Sequence, residues 1–507
     1  MREDCIECTF EDLLDYEQPT KYIVRSTKYS DAFKTPVLTA GKSFIKGYTN
    51  ETDGIFDELP TIIFDDFTTA TQFVDFTFKV KSSAMKILVP TSKLVNMKFV
   101  YNCIQVNQVR NDTHKRYWIS LYAKKKILLP SLVEQNAILS KTEELFSDLD
   151  NGIANFKKAQ EQLKTYRQAV LKKAFEGELT KEWREKQTNL PTAEELLKQI
   201  NEERQNHYNQ QIEDWKKAVK GWEKGSKVGK KPNKPRKLKK LSPFSEDELN
   251  EFVDLPENWI WSKVDKIIDH HTHSIKAGPF GSSLKKSFYV ENGYKIYGQE
   301  QVISGNHKIG NYYVNELKYQ ELLSCAVKPN DALISLVGTV GKVLILPVDC
   351  ENGIINPRLI KISFNSFYNP EFFKYYFESA YLKSLYAHKS HGATMDIITL
   401  GIIQELPFPL FSIGEQNQII QEIEFRLSVC DKMEQSISES IEKAKALRQS
   451  ILKKAFEGKL LSQAEIELCK QAADYEPASD LLKKIKAEKL AKEQQKKNPT
   501  IKKKSKQ

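Results

Sequence analysis

The sequence predicts an α+β chain in which two globular mixed α/β domains are separated by two long paired helices, an intramolecular coiled coil with a pseudo-twofold repeat. Three observations predict it. Arg167 to Gly177, RQAVLKKAFEG, returns 281 positions later as Arg448 to Gly458, RQSILKKAFEG, matching at nine of eleven positions. The same offset carries Glu134-Gln135-Asn136 onto Glu415-Gln416-Asn417, so an ungapped block of 44 residues recurs with 18 identities. Each block follows a β-rich stretch, and the two stretches differ from each other, so one helical module is used twice to carry two different heads.

The first head, 1–133, alternates short runs such as Thr61-Ile62-Ile63-Phe64 and Phe73-Val74-Asp75-Phe76-Thr77-Phe78 with turns, the pattern of a compact mixed domain. From Glu134 the apolar positions fall at threes, fours and sevens: Ile138, Leu145, Leu149, Ile153, Phe156, Leu163, Tyr166, Val170 and Ala174. The second copy keeps much of that seam from Ile423 to Ala455. Each reads as one helix of about 42 residues, roughly 60 Å long, closed by Gly177 or Gly458 just past its C-terminus. Such an apolar stripe needs cover, and the other copy, parallel or antiparallel, is the natural partner. A weaker repeat follows: Thr192 to Ile200 resembles Pro477 to Ile485, so the repeats extend over 134–204 and 415–489. Residues 205–250 read as a charged Lys/Pro-rich linker, 251–414 as the second head opening at Leu255-Pro256-Glu257-Asn258-Trp259, and 490–507 as a basic tail. In the second head Ala332 to Val337 reads as a strand and Pro370 to Ser384 as a helix.

At 507 residues and 40% hydrophobic content, three or four domains with cores of their own are expected. Neither a membrane span nor a secretory signal is suggested, which makes the cytoplasm the expected address. The seven cysteines include one Cys-x-x-Cys pair without a companion pair, and they read as reduced thiols. The net charge of +10 is localised: Lys216 to Lys240 carries +11 and Lys483 to Gln507 carries +9, leaving the remainder near −10. Solvated lysine tails are the plain reading of both runs, and salt-sensitive attraction to DNA or docking to an acidic partner the functional one.

No catalytic constellation is complete. There is no Pro-Pro dipeptide, so the Asn-Pro-Pro-aromatic segment with which an adenine methyltransferase holds a flipped base is absent. Gly338-Thr339-Val340-Gly341-Lys342 lacks the hydroxyl residue and upstream glycine of a phosphate loop and reads as a hairpin turn. Asp269, His270, His271 and His273 read as a polar strand edge rather than a metal site.

The paired LKKAFEG motifs, Leu171 to Gly177 and Leu452 to Gly458, and the helix entries at Pro130 with Glu134-Gln135 and Pro409 with Glu415-Gln416 resemble the specificity subunits of type I restriction-modification systems. In the second head, Ala277-Gly278-Pro279-Phe280-Gly281-Ser282-Ser283-Leu284, the Gly338 to Lys342 turn and Asn356-Pro357-Arg358 are similar to segments of that family's target recognition domains. Asp15 to Tyr22 and Ile63 to Phe67 resemble another variety of the same domain, although the first head lacks the Leu-Pro-x-x-Trp entry. The resemblance covers nearly the whole chain. It implies a non-catalytic reader of double-stranded DNA, each recognition domain taking one half of a bipartite asymmetric target while the helices set the spacing. It also implies two modification (DNA methyltransferase) subunits docked on the helices and restriction/translocase subunits beyond them, so that S-adenosylmethionine, ATP and Mg2+ belong to partners and none to this chain. Arg167, Leu171, Phe175, Gly177, Arg448, Leu452, Phe456 and Gly458 are the docking candidates. A specificity chain of a type IIB-like methylase-nuclease and a coiled-coil scaffold without DNA remain open on the residues.

Residue type nominates the DNA contacts. Gly278, Gly281, Ser282, Ser283, Lys285 and Lys286 form a small basic loop suited to phosphates. Gln299, Gln301 and Arg358 can make paired hydrogen bonds to base edges. Lys389, Ser390 and His391 form a second polar loop, and in the first head the candidates are Thr39, Lys42, Thr68 and Thr69.

Overall fold

The computed structural model describes residues 4–39, 43–107, 117–225, 229–387 and 398–497. The chain divides into two compact units, Met1–Lys158 with Ile437–Gln507, and Ala159–Ser436. Both long helices, Leu132–Phe175 and Ile413–Phe456, cross this division, so each gives its start to one unit and its end to the other. The first unit is therefore discontinuous in sequence and the second continuous, and neither follows the segment boundaries that the text suggests.

The two heads share a topology that their sequences conceal. The first has an antiparallel sheet in the order Leu14–Glu17, Met85–Pro90, Thr61–Asp65, Thr71–Val74. Beside it, Thr35–Leu38 pairs antiparallel with Ile45–Thr49 and parallel with Lys79–Val80. The second has Ile275–Ala277, Leu359–Ile362, Ala332–Ser335 and Val343–Ile345 in the same order. Its companion sheet sets Tyr294–Tyr297 antiparallel to Tyr313–Val314 and parallel to Gly353–Ile355. Strand side chains alternate between faces, and both faces are buried: Ile62 and Phe64 enter one core, Ile63 and Ile87 another. Ala332, Ile334 and Ile360 likewise separate from Leu333 and Leu359. The Phe73 to Phe78 run is not one strand, because the chain leaves the first sheet after Val74 and enters the second at Lys79. The anticipated helix from Pro370 is two, Pro370–Phe377 and Ala380–Ala387, with Ser379 Oγ capping the second through the Leu382 amide at 3.2 Å.

The recurring Glu-Gln-Asn is a local device for starting a long helix under a head. Ser131 Oγ accepts from the Glu134 amide and Ser412 Oγ from the Glu415 amide, both at 3.2 Å. The amide groups of buried Gln135 and Gln416 donate back to the Pro130 and Phe411 carbonyls at 2.9 Å. Asn136 and Asn417 each accept from an asparagine, Asn96 at 2.9 Å and Asn369 at 2.8 Å. Those asparagines cap the helices Met97–Val106 and Pro370–Phe377. Three residues after each asparagine, Phe99 packs on Phe456 at 5.2 Å between ring centroids and Phe372 on Phe175 at 5.8 Å. Each head is thus pinned to the start of one repeat helix and the end of the other.

The pairing of helix segments inside each unit is antiparallel. Asp150 bonds Arg448 at 2.6 Å in the first unit, and Asp431 bonds Arg167 at 2.6 Å in the second, related by the 281 offset. Exposed ion pairs of this kind contribute about 0–1 kcal/mol, whereas truncating a buried phenylalanine costs about 3–5 kcal/mol, so the aromatic plugs dominate. Phe175 and Phe456 are accordingly core side chains and offer no outward docking surface, and Arg167 and Arg448 are engaged between helices. Leu171 and Leu452 are half-buried, and Gly177 and Gly458 take the left-handed conformation expected after a helix end. The apolar stripe is covered only in part: Met433 is 51% exposed and Leu447 50%, and Phe425, off the stripe, is 68% exposed.

In the second unit Trp259 stacks on Phe411 at 3.6 Å and donates from Nε1 to the buried Glu415 carboxylate at 3.0 Å, where Thr180 and Arg184 also bond. That is the role of the Leu-Pro-x-x-Trp entry. The first head manages without it, since Ile6–Thr9 pairs with Lys126–Leu129 as Ile260–Ser262 pairs with Phe408–Leu410. Much of the supposed linker is helical: Ala193–Lys224 begins at a Thr192–Glu195 capping box, runs through Gly221 and ends at Gly225. The helix Ala478–Lys497 similarly runs past residue 489 into the supposed tail.

Phe99→Ala and Phe372→Ala should each destabilise their own unit by about 3–5 kcal/mol, and Asn96→Ala or Asn369→Ala by about 1–2 kcal/mol. Denaturant unfolding with a probe in each unit checks both the ranking and its confinement to one unit.

Candidate nucleic-acid interface

In the second head three segments singled out from the sequence converge at one end of the paired sheets. Gly278 lies against Asn356 so closely that an added Cβ would fall 1.9 Å from the Asn356 carbonyl oxygen, and its amide donates to the Leu359 carbonyl at 2.9 Å. The Leu336 amide donates to the Arg358 carbonyl at 3.0 Å, joining the Asn356-Pro357-Arg358 segment to the turn that carries Gly338 and Gly341. Both of those glycines have positive φ, and Ile334 pairs with Val343 across them, so the segment is a hairpin turn. Gln299 binds this cluster through Nε2, which donates to Ser335 Oγ at 2.8 Å and to the Val337 carbonyl. Arg358 is exposed, its guanidinium donates to Gln299 Oε1 at 3.5 Å, and among the described residues it forms no ion pair. An arginine not neutralised by a carboxylate, beside a glutamine with a spare lone pair, is a surface able to make directional bonds to an acceptor-rich ligand.

The other candidates separate. Gln301 is fully buried, accepting from the Gly298 amide at 2.8 Å and donating to the Ile309 carbonyl at 2.8 Å. It fixes the short helix Gln299–Ser304 and is not a reader. Ser282, Ser283, Lys285 and Lys286 are exposed on two short helical turns, Gly281–Ser283 and Lys286–Phe288, and Phe280 beside them is 76% exposed. Lys389, Ser390 and His391 lie outside the described residues, as does Lys42.

In the first head Thr39 follows the strand Thr35–Leu38, the topological counterpart of Tyr294–Tyr297, and so stands where Gly298 and Gln299 stand in the second. Its hydroxyl donates to the Ser43 carbonyl at 2.9 Å. Thr68 and Thr69 occupy the hairpin between Thr61–Asp65 and Thr71–Val74, the counterpart of the Gly338 turn. Asp65 Oδ1 accepts from the Phe67 and Thr68 amides, and Thr69 has φ +59°, so this turn is tightly specified. Sequence reading missed Lys81, Ser82 and Ser83, which are exposed between Lys79–Val80 and Met85–Pro90 as Asn356 to Arg358 lie between Gly353–Ile355 and Leu359–Ile362. Only the shared topology reveals that equivalence. Among the described residues no group of three or more His, Cys, Asp or Glu is placed to hold a metal, and no helix is long and apolar enough to cross a membrane.

No family model matches the chain. Over 189 residues, 34% of this chain and 47% of the relative, it is 40% identical to the type I restriction enzyme EcoR124I/EcoR124II specificity subunit of Escherichia coli. That match spans about half of the relative's length. The EcoDI specificity subunit of Escherichia coli is 23% identical over 416 residues, 78% of each chain. Both relatives are specificity subunits of type I restriction enzymes, and the chain is similar to them over these stretches. Among solved structures, a chain from work on complex assembly and conformational transition of the type I R-M system superposes with a TM-score of 0.55 at 15% identity, covering 91% of this chain and 99% of that one. The HsdS subunit of Thermoanaerobacter tengcongensis superposes at 0.50 and 16% identity, over 91% and 98%. The likeness to these two solved structures is one of fold.

Gly278→Ala should push the Asn356 to Arg358 segment out of place while leaving the helix pairing intact. Hydrogen exchange should show faster exchange at the Arg358 amide, which now donates to Asn356 Oδ1 at 2.9 Å, with Gln416 and its neighbours unchanged.

Proposed function

We propose that this chain is the DNA-reading subunit of a type I restriction-modification complex, non-catalytic itself, in which each head reads one half of a bipartite asymmetric target. The observation that carries the reading is the combination of two heads on one topology, held by equivalent asparagine, serine and phenylalanine contacts, with non-equivalent side chains at the matching loops. A frame held constant while its loops differ suits two sequences read by one mechanism. In the second head Arg358 and Gln299 offer hydrogen bonds to base edges, while Ser282, Ser283, Lys285 and Lys286 suit phosphates. The first head presents Thr39, Thr68, Thr69, Lys81, Ser82 and Ser83 at the corresponding places.

The repeat helices serve as the spacer between half-targets and as the seat of two DNA methyltransferase subunits, and the exposed Phe425 and Met433 supply apolar surface for that seat in the second unit. Restriction/translocase subunits complete the assembly, and S-adenosylmethionine, ATP and Mg2+ act on those partners.

Replacing the first head should change one half of the selected target and preserve the other, read by selecting bound duplexes from a random library with the assembled methyltransferase. A change in both halves contradicts independent readers. Removing seven residues from within 145–156 and from within 426–437 should shorten the gap between the halves and leave both half-sequences as they were. Arg358→Ala should weaken binding by about 1–3 kcal/mol and relax preference at a single base pair.

A further inference from the structure

The basic run between the two halves is built into a folded arm. The helix Ala193–Lys224 presents Tyr208, Ile212, Trp215, Val219 and Trp222 at helical spacing along its distal half. After Gly229 the chain turns back along that stripe. Trp222 Nε1 donates to the Gly229 carbonyl at 3.1 Å and Trp215 Nε1 to the Pro232 carbonyl at 2.9 Å. Further back, Lys237 lies 5.0 Å over the Tyr208 ring and donates to Gln205 Oε1 at 3.4 Å. Pro232 and Pro235 suit an extended strap, since they fix φ and need no amide partner.

This arrangement sets two rows of cations side by side. Lys216, Lys217, Lys220 and Lys224 come from the helix, and Lys230, Lys231, Lys234, Arg236, Lys237, Lys239 and Lys240 from the strap, all of them exposed. Among the described residues only Lys216 and Lys217 of these form ion pairs, with Glu213 and Asp214. The helix Ala478–Lys497, the counterpart in the second repeat, uses its lysines differently: Lys484 pairs with Glu476, Lys486 with Asp12, and Lys489 donates to the Glu11 carbonyl. There the charge holds the helix to its head, as Arg204 does at Asp265 in the first repeat, whereas the cations of the first repeat's distal half face solvent. Gln205 to Lys224 spans about 30 Å at 1.5 Å per residue, a length over which duplex DNA carries about 17 phosphates.

We propose that this arm is a sequence-independent clamp on the phosphate backbone of duplex DNA outside the bases that the heads read, an inference that rests on the DNA-reading function proposed above. Lysines around a strap pinned by tryptophans make electrostatic contacts with no base-edge readout, so the arm adds affinity and salt dependence to every duplex equally. An acidic protein is the other class of partner that such a surface can attract, and the test separates the two.

The experiment compares the full-length chain with a variant carrying Lys230→Gln, Lys231→Gln, Lys234→Gln and Arg236→Gln, and with the corresponding variant in which the three lysines become arginine. Binding to a 40-base-pair duplex of arbitrary sequence is followed as salt is raised. The glutamine variant should lose about 3 to 4 from the slope of log K against log salt, at about 0.9 per phosphate contact. Its ratio of target to non-target affinity should be unchanged, and the arginine variant should match the unaltered chain. Equal slopes for the glutamine variant and the unaltered chain overturn the clamp and favour an acidic protein on this face. Absence of duplex binding by the unaltered chain overturns the DNA-reading function, and the clamp with it.

Discussion

Everything else in this structure depends on the way a helix end is buried. Phe175 and Phe456 close the two repeats, and each is inserted beside the phenylalanine that follows a capping asparagine in a head, Phe372 or Phe99. A 44-residue helix cannot cover its own apolar stripe, and the exposed Arg–Asp pairs along it are too weak to align it. The aromatic plug fixes which head receives which helix end, and the Glu-Gln-Asn entry fixes where the partner helix starts. Together they make the start of one repeat and the end of the other inseparable parts of a single compact unit.

From that constraint the division of labour follows. The frame of each head is spent on holding the helices: Gln135, Gln416 and Glu415 are buried with their polar atoms bonded, and Asn96 and Asn369 bond the helix starts nearer the surface. The opposite demands fall on the loops that link the two sheets, where Arg358 and Gln299 keep unsatisfied bonding capacity at the surface. Under the proposed function, a reader that changes its target without changing its assembly gains from this separation. Substitution in the loops leaves the plugs untouched.

Much of the plan was legible in the text, for particular reasons. The repeat helices announced themselves because an ungapped 281 offset preserves both Asp150/Asp431 and Arg167/Arg448, the residues that bond across the antiparallel pairs. The hairpin at Gly338 to Gly341 was readable because two glycines between apolar runs demand left-handed turns. The common topology of the heads was hidden, since strands buried on both faces accept almost any apolar residue and leave no alignable signature. Lys81, Ser82 and Ser83 were missed for that reason. Gln301 was misjudged because a glutamine that caps a short helix and one that faces a ligand look alike in sequence. The arm reads as a linker in sequence because its lysine content outweighs the Tyr208, Trp215 and Trp222 spacing that the strap covers.

The central claim, that this chain decides where a partner methyltransferase acts, is tested most directly by single-molecule sequencing of genomic N6-methyladenine with the chain present and with it deleted. The account predicts one split, asymmetric methylated motif that disappears on deletion and returns when the chain is restored. A methylation pattern that is identical in the two strains, with the methyltransferase expressed in both, contradicts it.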